Sequence, residues 1–334
     1  MMKKKLGYFS LMMLLLAGVL SGCNAAEEGK SGEKKKVVIG YFPNLDHVPA
    51  MIAREKGYYE EALGKEVNVE YKSFPDGGAF MVALKTGDVQ AGLVGPGPVM
   101  NNFTNGADVK IVAGSSSGGT TIVARKGSGI HSVKDFAGKT FITPGVGCTH
   151  DVQMETFIKD FGIESNRIGG TLKHTTGKPA QYAGLFESGR VDIAAVPEPW
   201  GTLLVKEAGA KVIVDSNEIS FGKTLPNSVL ATSGKLIKED PELVQEIVDA
   251  HQKAIKFINE HPEEAKKLTI AAIKRDTKQD LAKDVVDNAW QRITYTADVN
   301  EKVVQEFANS SYDLKFLKEQ PDFSALIDQQ FAQK

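Results

Sequence analysis

The sequence predicts an α/β protein of two similar lobes followed by a helical tail. Three observations carry that expectation. From residue 37 to about residue 230, short β-rich segments alternate with amphipathic helical patterns, as they do in strand–helix units around a mainly parallel sheet. The pattern at 84–91 returns 102 positions later at 186–193, where a helix again ends at a glycine and a buried strand follows at once. Beyond Gly234 the β signal disappears and only helical periodicity is left.

Taken in order, strands are expected at 37–41, 67–73, 89–94, 110–114, 121–125, 140–143, 172–174, 191–196, 212–214 and 228–232, each a short β-rich run. The intervening helices fall at 49–59, 77–85, 99–104, 133–136, 152–161, 180–187 and 202–207. The two echoing strands run into proline-containing loops, Val94-Gly95-Pro96-Gly97-Pro98 and Val196-Pro197-Glu198-Pro199-Trp200, and each loop leads into a new helix. In the tail, Leu243, Ile247, Ala250, Ala254 and Ile258 mark one apolar stripe. Pro241 and Pro262 suit first helical turns on either side of a break at Asn259-Glu260-His261. Helices with a single stripe must dock on another surface.

The N-terminus has a separate logic. Three lysines at positions 3–5 precede a short apolar run, and Leu20-Ser21-Gly22-Cys23 then closes the segment. The run is too short to span a bilayer of about 30 Å. A leader with this ending resembles the lipobox of bacterial lipoproteins, which implies cleavage after residue 22 and acylation of Cys23. Residues 24–36 are polar and small and read as a tether, so the expected layout is a signal peptide at 1–22, a lipidated tether at 23–36 and a folded part from 37. The implied location is the extracytoplasmic face of a membrane.

Without the leader lysines the chain carries 37 basic and 42 acidic residues, a net charge of −5, and no basic surplus recommends nucleic acid. The cysteines are Cys23 and Cys148, so acylation of the first leaves no intrachain disulfide. No later apolar run approaches a spanning helix.

In open α/β sheets, ligands bind beyond the carboxyl ends of the strands. Two such sheets facing one another place five loops around one cleft, at 42–47, 95–98, 115–120, 144–151 and 197–200. Ser115, Ser116, Ser117 and Thr120 offer neutral hydroxyls, with glycine amides beside them, and Thr149 and His150 open a helix whose free amides favour a negative group. Trp200, with Tyr41 or Phe42, suits an aromatic wall. Glu198 either pairs with a ligand amine or caps the helix at Trp200, the second being favoured. None of the five loops contains lysine or arginine, which suits an anion held by neutral dipoles. Asp46, His47, His150 and Asp151 raise the question of metal, but no ligand spacing supports one and none is expected. No nucleotide-binding glycine motif, Gly-x-Ser-x-Gly elbow or His-Glu-x-x-His helix occurs, and Cys148 reads as a packed or cleft-lining thiol.

The segments Val38-Ile39-Gly40-Tyr41-Phe42-Pro43, Thr86-Gly87-Asp88-Val89, Asp135-Phe136 with Gly138-Lys139-Thr140, Thr143-Pro144 with Gly147, Thr149 and Asp151, and Val196-Pro197-Glu198-Pro199-Trp200 stand in one order between residues 38 and 200. Together they resemble the substrate-binding proteins of ABC importers for aliphatic sulfonates, taurine and nitrate. The resemblance implies a two-lobed periplasmic-binding-protein fold of type II, with lobe 1 at 37–120 plus 227–334 and lobe 2 at 121–226. It also implies a monomeric binder without cofactor or catalytic residues, serving a membrane permease and its ATPase. The anion is then expected among Asn44, His47, the loop at 115–120, Thr149 and His150, with Gly95, Pro96, Glu198 and Trp200 nearby. Alternatives are nitrate or a thiamine-precursor pyrimidine as ligand, an enzyme acting on a small heterocycle, and a signalling lipoprotein.

Overall fold

The computed structural model describes residues 34–320 and 322–332. The leader, Cys23 and most of the expected tether lie outside the described residues. The chain forms two sheets. The first takes β1 (Lys35–Tyr41), β2 (Val67–Ser73), β3 (Ala91–Val94) and β4 (Lys110–Gly118). The second takes β5 (Thr120–Ala124), β6 (Thr140–Thr143), β7 (Lys173–Thr176), β8 (Ile193–Pro197) and β9 (Lys211–Val214). The chain then returns to the first sheet as β10 (Pro226–Thr232) and, much later, β11 (Ile293–Tyr295). Strand β1 begins earlier than expected, because Lys35 and Lys36 pair with Val67 and Asn68 of β2.

Strand order is β11-β4-β10-β3-β1-β2 in the first sheet and β7-β6-β8-β5-β9 in the second. Leaving β11 aside, the two orders superimpose: β2-β1-β3-β10-β4 matches β7-β6-β8-β5-β9. The duplication suggested by the echo at 84–91 and 186–193 is therefore present in the topology. The expectation of a mainly parallel sheet needs correction, since both sheets are mixed. β10 is antiparallel to β3 and β4, and β5 is antiparallel to β8 and β9. Each is the strand by which the chain enters a sheet from the other one. It starts at the carboxyl ends of that sheet's own strands and so must run backwards.

The helices are α1 (Val48–Lys56), α2 (Tyr58–Leu63), α3 (Gly77–Thr86), α4 (Pro96–Thr104), α5 (Thr149–Lys159), α6 (Tyr182–Glu187) and α7 (Trp200–Glu207), followed by a tail of α8 (Gly234–Glu239), α9 (Pro241–Glu260), α10 (Pro262–Thr277), α11 (Lys283–Trp290) and α12 (Glu301–Asp313). Alternation along β1 sends Val37, Ile39 and Tyr41 into one apolar cluster and Val38 into another with Phe74 and Phe80. The first cluster includes the α9 stripe of Leu243, Ile247, Ala250, Ala254 and Ile258, so the tail docks on the first sheet through α1 and α2. A third cluster around Phe136, Phe141, Met154 and Ile158 covers one face of the second sheet, while Val123, Ile142, Ala194 and Val196 on its other face belong to the first cluster. Among the described residues, no helix is long and apolar enough to cross a membrane.

Candidate functional site

A cavity of about 500 Å³ opens where the carboxyl ends of the two sheets meet. The first half contributes Phe42 to His47 after β1, Ser73 to Gly77 after β2, Gly95 and Pro98 around the start of α4, and Asn227 of β10. The second half contributes Pro144 and Cys148 to His150 before and in α5, Lys178 to Gln181 after β7, and Pro197 with Trp200 at the end of β8. Asp276, Thr277 and Gln279, at the end of α10 and just beyond it, close one side.

After β1 the backbone makes a single 3-10 turn over Leu45–His47, set by Asn44, whose Oδ1 accepts the Asp46 N–H at 2.9 Å. The Leu45 N–H donates to the Glu198 carbonyl at 2.7 Å and the Leu45 carbonyl accepts the Tyr295 hydroxyl at 3.1 Å, so this turn is tied to both sheets. It aims Asp46 and His47 inward. Asp46 Oδ2 lies 3.5 Å from His150 Nε2, across from the other half. Burial raises the Asp46 carboxyl above its ordinary range, with His150 acting the opposite way. Burial, reinforced by His150, holds His47 well below the usual imidazole value, so it is neutral at pH 7. Asp46 Oδ1, His47 Nδ1, His150 Nε2 and Asn227 Oδ1 are all buried without a hydrogen-bond partner on residues that line the cavity. Buried polar atoms without partners are costly, and a bound molecule is what would meet them.

Thr149 opens α5 and is almost fully buried. Its Oγ1 accepts the Gly97 N–H at 3.4 Å, so the first turns of α4 and α5 touch across the cavity. That approach needs Gly95, because a Cβ there would lie 2.4 Å from Thr149 Oγ1. Phe42 packs on His47 at 4.6 Å between ring centroids, and Phe42 and Trp200 both line the cavity. Tyr41 is not part of the lining; its hydroxyl donates to Asp276 at 2.6 Å, behind the cavity wall that Asp276 helps to form. Burial and the neighbouring Asp151 push the Cys148 thiol up to about 12, against any thiolate nucleophile.

Asn44, His47, Gly95, Thr149, His150 and Trp200 thus converge on the cavity, and other expected site residues do not. The stretch 115–120 is not a loop. β4 runs through Gly118 and β5 starts at Thr120, so Ser115 and Ser116 are internal to a sheet, with Ser116 paired to Ser228 and Tyr295. Ser117 faces Thr294 in the same ladder. Thr120 is spent on buried hydrogen bonds with Gln153 and Asn227. Pro96 is the first residue of α4 and lies outside the cavity lining. Glu198 takes the favoured capping role, accepting the Thr202 N–H at 2.9 Å and hydroxyl at 3.0 Å, with Arg292 at 3.4 Å.

Lys178, Asp76, Asn227 and the Asp276–Gln279 segment were missed. Lys178 follows β7, whose carboxyl end faces the cavity like those of β1, β3, β6 and β8. Reading a sixth loop there would have found it: the five loops contain no lysine, but this one brings Lys178 to the lining. The α10 residues carry no local signal, because only docking of the tail brings them in.

Residues 30–274 match the NMT1-like family. A protein of Bacillus subtilis (strain 168) named for aliphatic sulfonate binding is 29% identical over 343 aligned positions, covering 100% of this chain and 97% of that protein. The alkanesulfonate-binding protein from Xanthomonas axonopodis pv. citri, solved bound to MOPS, is 18% identical with a TM-score of 0.74, covering 90% of this chain and 100% of that one. The periplasmic nitrate-binding protein from Synechocystis PCC 6803 is 16% identical with a TM-score of 0.76, covering 90% and 88%. The two-sheet architecture is accordingly that of the two-lobed periplasmic binding proteins.

Proposed function

Because the chain belongs to the NMT1-like family, we propose that it is the substrate-binding component of an ABC importer, capturing a small organosulfur oxyanion, an aliphatic sulfonate or taurine-like molecule, and handing it to a membrane permease and its ATPase. One observation carries the reading: a cavity of about 500 Å³ between two halves, lined by residues with buried polar atoms that lack partners. That volume suits a small organic molecule and is generous for the four atoms of nitrate. The hydroxyl of Thr149 and the free amides at the start of α5 favour an anionic head, and Lys178 adds a fixed positive charge. Asp46 Oδ1, with no donor of its own, favours a ligand that also bears an amine, as a taurine-like molecule does. The likeness to proteins named for sulfonate binding supports the same class.

The role is capture and release of an unchanged molecule rather than catalysis. The lobes we assign are 37–120 with 227–334, and 121–226, moving as a monomer about the two crossings between the sheets. Cys23 is the proposed lipid anchor on the extracytoplasmic face, which mass spectrometry of the N-terminal peptide checks by its acyl groups.

The test is calorimetry and thermal shift on the purified protein with taurine, ethanesulfonate, nitrate and an aminopyrimidine. A sulfonate should bind at one per chain, raise Tm with concentration and be recovered intact. Stabilisation by nitrate or the pyrimidine alone, or consumption of the ligand, would overturn the reading.

A further inference from the structure

Behind the floor of the cavity lies a second cluster that the ligand site does not use. Asp151 and Glu155 stand one helical turn apart on α5, and His174 comes from β7. One ligand atom from each lies within 4.8 Å of the other two. All three side chains are more than nine-tenths buried. Neither Asp151 Oδ1 nor Glu155 Oε1 has a hydrogen-bond partner, and the former lies 3.5 Å from His174 Nε2. We propose that Asp151, Glu155 and His174 form a binding site for one first-row divalent cation of the zinc or manganese class.

The geometry is what such an ion needs. A cation about 2.1 Å from both His174 Nε2 and Asp151 Oδ1 would subtend about 110° between them, close to tetrahedral. Glu155 Oε1 supplies the third donor. Thr143 Oγ1 is hydrogen-bonded to His174 Nε2 at 2.7 Å, a bond the ion would replace, and water would supply the fourth donor. An imidazole with two carboxylates selects ions of intermediate hardness, not soft thiolate-seeking ones.

The unpartnered oxygens point the same way. The two carboxylates bring two negative charges, and Arg167 returns one through Nη2, which donates to Glu155 Oε2 at 2.8 Å. Arg167 is held in place from behind by the Phe316 ring, 3.6 Å from its guanidinium carbon. One buried negative charge and two bare oxygens are left over. A single proton would meet the charge but only one of the oxygens, whereas a divalent ion meets both oxygens and leaves the cluster with one net positive charge.

The site would stiffen the ligand cavity without entering it. Asp151 Oδ2 accepts the Gly147 N–H at 2.8 Å and Thr143 Oγ1 donates to the Gly145 carbonyl at 3.2 Å, so the cluster holds the turn that presents Cys148, Thr149 and His150. An ion there ties α5 to β7.

The experiment is a Co²⁺ titration of the full chain after chelator treatment, followed by visible absorption, with Zn²⁺ as competitor. The first equivalent should develop the bands of four- or five-coordinate cobalt, and Zn²⁺ should erase them. Zn²⁺ at a hundredfold excess over its Kd should raise Tm by about 4 °C. His174→Gln should weaken the first equivalent at least tenfold. Asp151→Asn should do the same, and if loss of the Gly147 contact prevents its folding, Glu155→Gln replaces it. Three results overturn the proposal: no cobalt spectrum in the wild-type protein, which leaves a shared proton as the occupant, a spectrum unchanged in His174→Gln, or one that follows His150 and so belongs to the cavity.

Discussion

The carboxylate of Glu198 is buried, yet donors reach it from Thr202 and Arg292. Burial prevails over these donors and raises its pKa from 4.5 to about 7. Between those values the folded protein keeps a proton that the unfolded chain releases. Glu198 therefore withdraws stability as pH rises through that window, by at most about 1.4 kcal/mol per pH unit, and does so no further above it. Glu198→Gln should remove this slope, so the variant gains on the wild-type protein between pH 5 and pH 7 in urea unfolding. Stability curves that stay parallel would refute the assignment. Residues of this kind mark how far a sequence can be read. Asn44, His47, Thr149, His150 and Trp200 sit directly after strands, where position alone predicts exposure to a cleft. Whether Glu198 points to the cavity or back to Thr202 depends on one rotamer, which no spacing encodes. Lys178 and Asp276 reach the cavity through tertiary packing, so only the folded chain reveals them.

Elements were legible where turn chemistry and periodicity agreed. Gly87 and Gly189 both end helices with positive φ, 81° and 68°, and both release the chain into a central strand. At neither does an added Cβ meet another atom, so the cost of a side chain there is backbone strain alone. Gly87→Ala and Gly189→Ala should each lower stability by about 1 kcal/mol while leaving ligand affinity within twofold, as denaturant unfolding and calorimetry would show. An affinity loss larger than that would mean the turns bear on the site. Where the serines at 115–117 continue a strand, the residue type misled: serine is common in turns, and nothing local reports that β10 and β11 flank it on both sides. β11 is three residues long and escapes any periodicity test. The reversed directions of β5 and β10 follow from crossings between sheets, a long-range property that alternation of strands and helices cannot express.

At the scale of the molecule, the two halves meet outside the crossings along α7 and α11, where Lys206 pairs with Asp284 and Arg292 with Asp215, and again around the cavity. Leu45 N–H reaches the Glu198 carbonyl, Gly97 N–H reaches Thr149 Oγ1, Asp46 faces His150, and Arg167 of the second half stacks on Phe316, which packs with the first half's core. For the hinge motion proposed above, small differences in free energy set the balance, so a contact worth about 1 kcal/mol, as a cation–π pair is, is enough to shift it. Phe316→Leu keeps an apolar side chain in the cluster but removes the ring under Arg167. If closure is coupled to capture, the ligand-free variant should spend more time open and show a larger radius of gyration by X-ray scattering. Its affinity for the sulfonate that binds the wild-type protein should fall about fivefold, because part of the binding energy now restores the closed form. Saturating ligand should return the scattering curve to that of the wild-type protein. An affinity loss with no change in the ligand-free radius would place the effect in the turn at Gly147 instead, and would separate the cavity's chemistry from the movement of the halves.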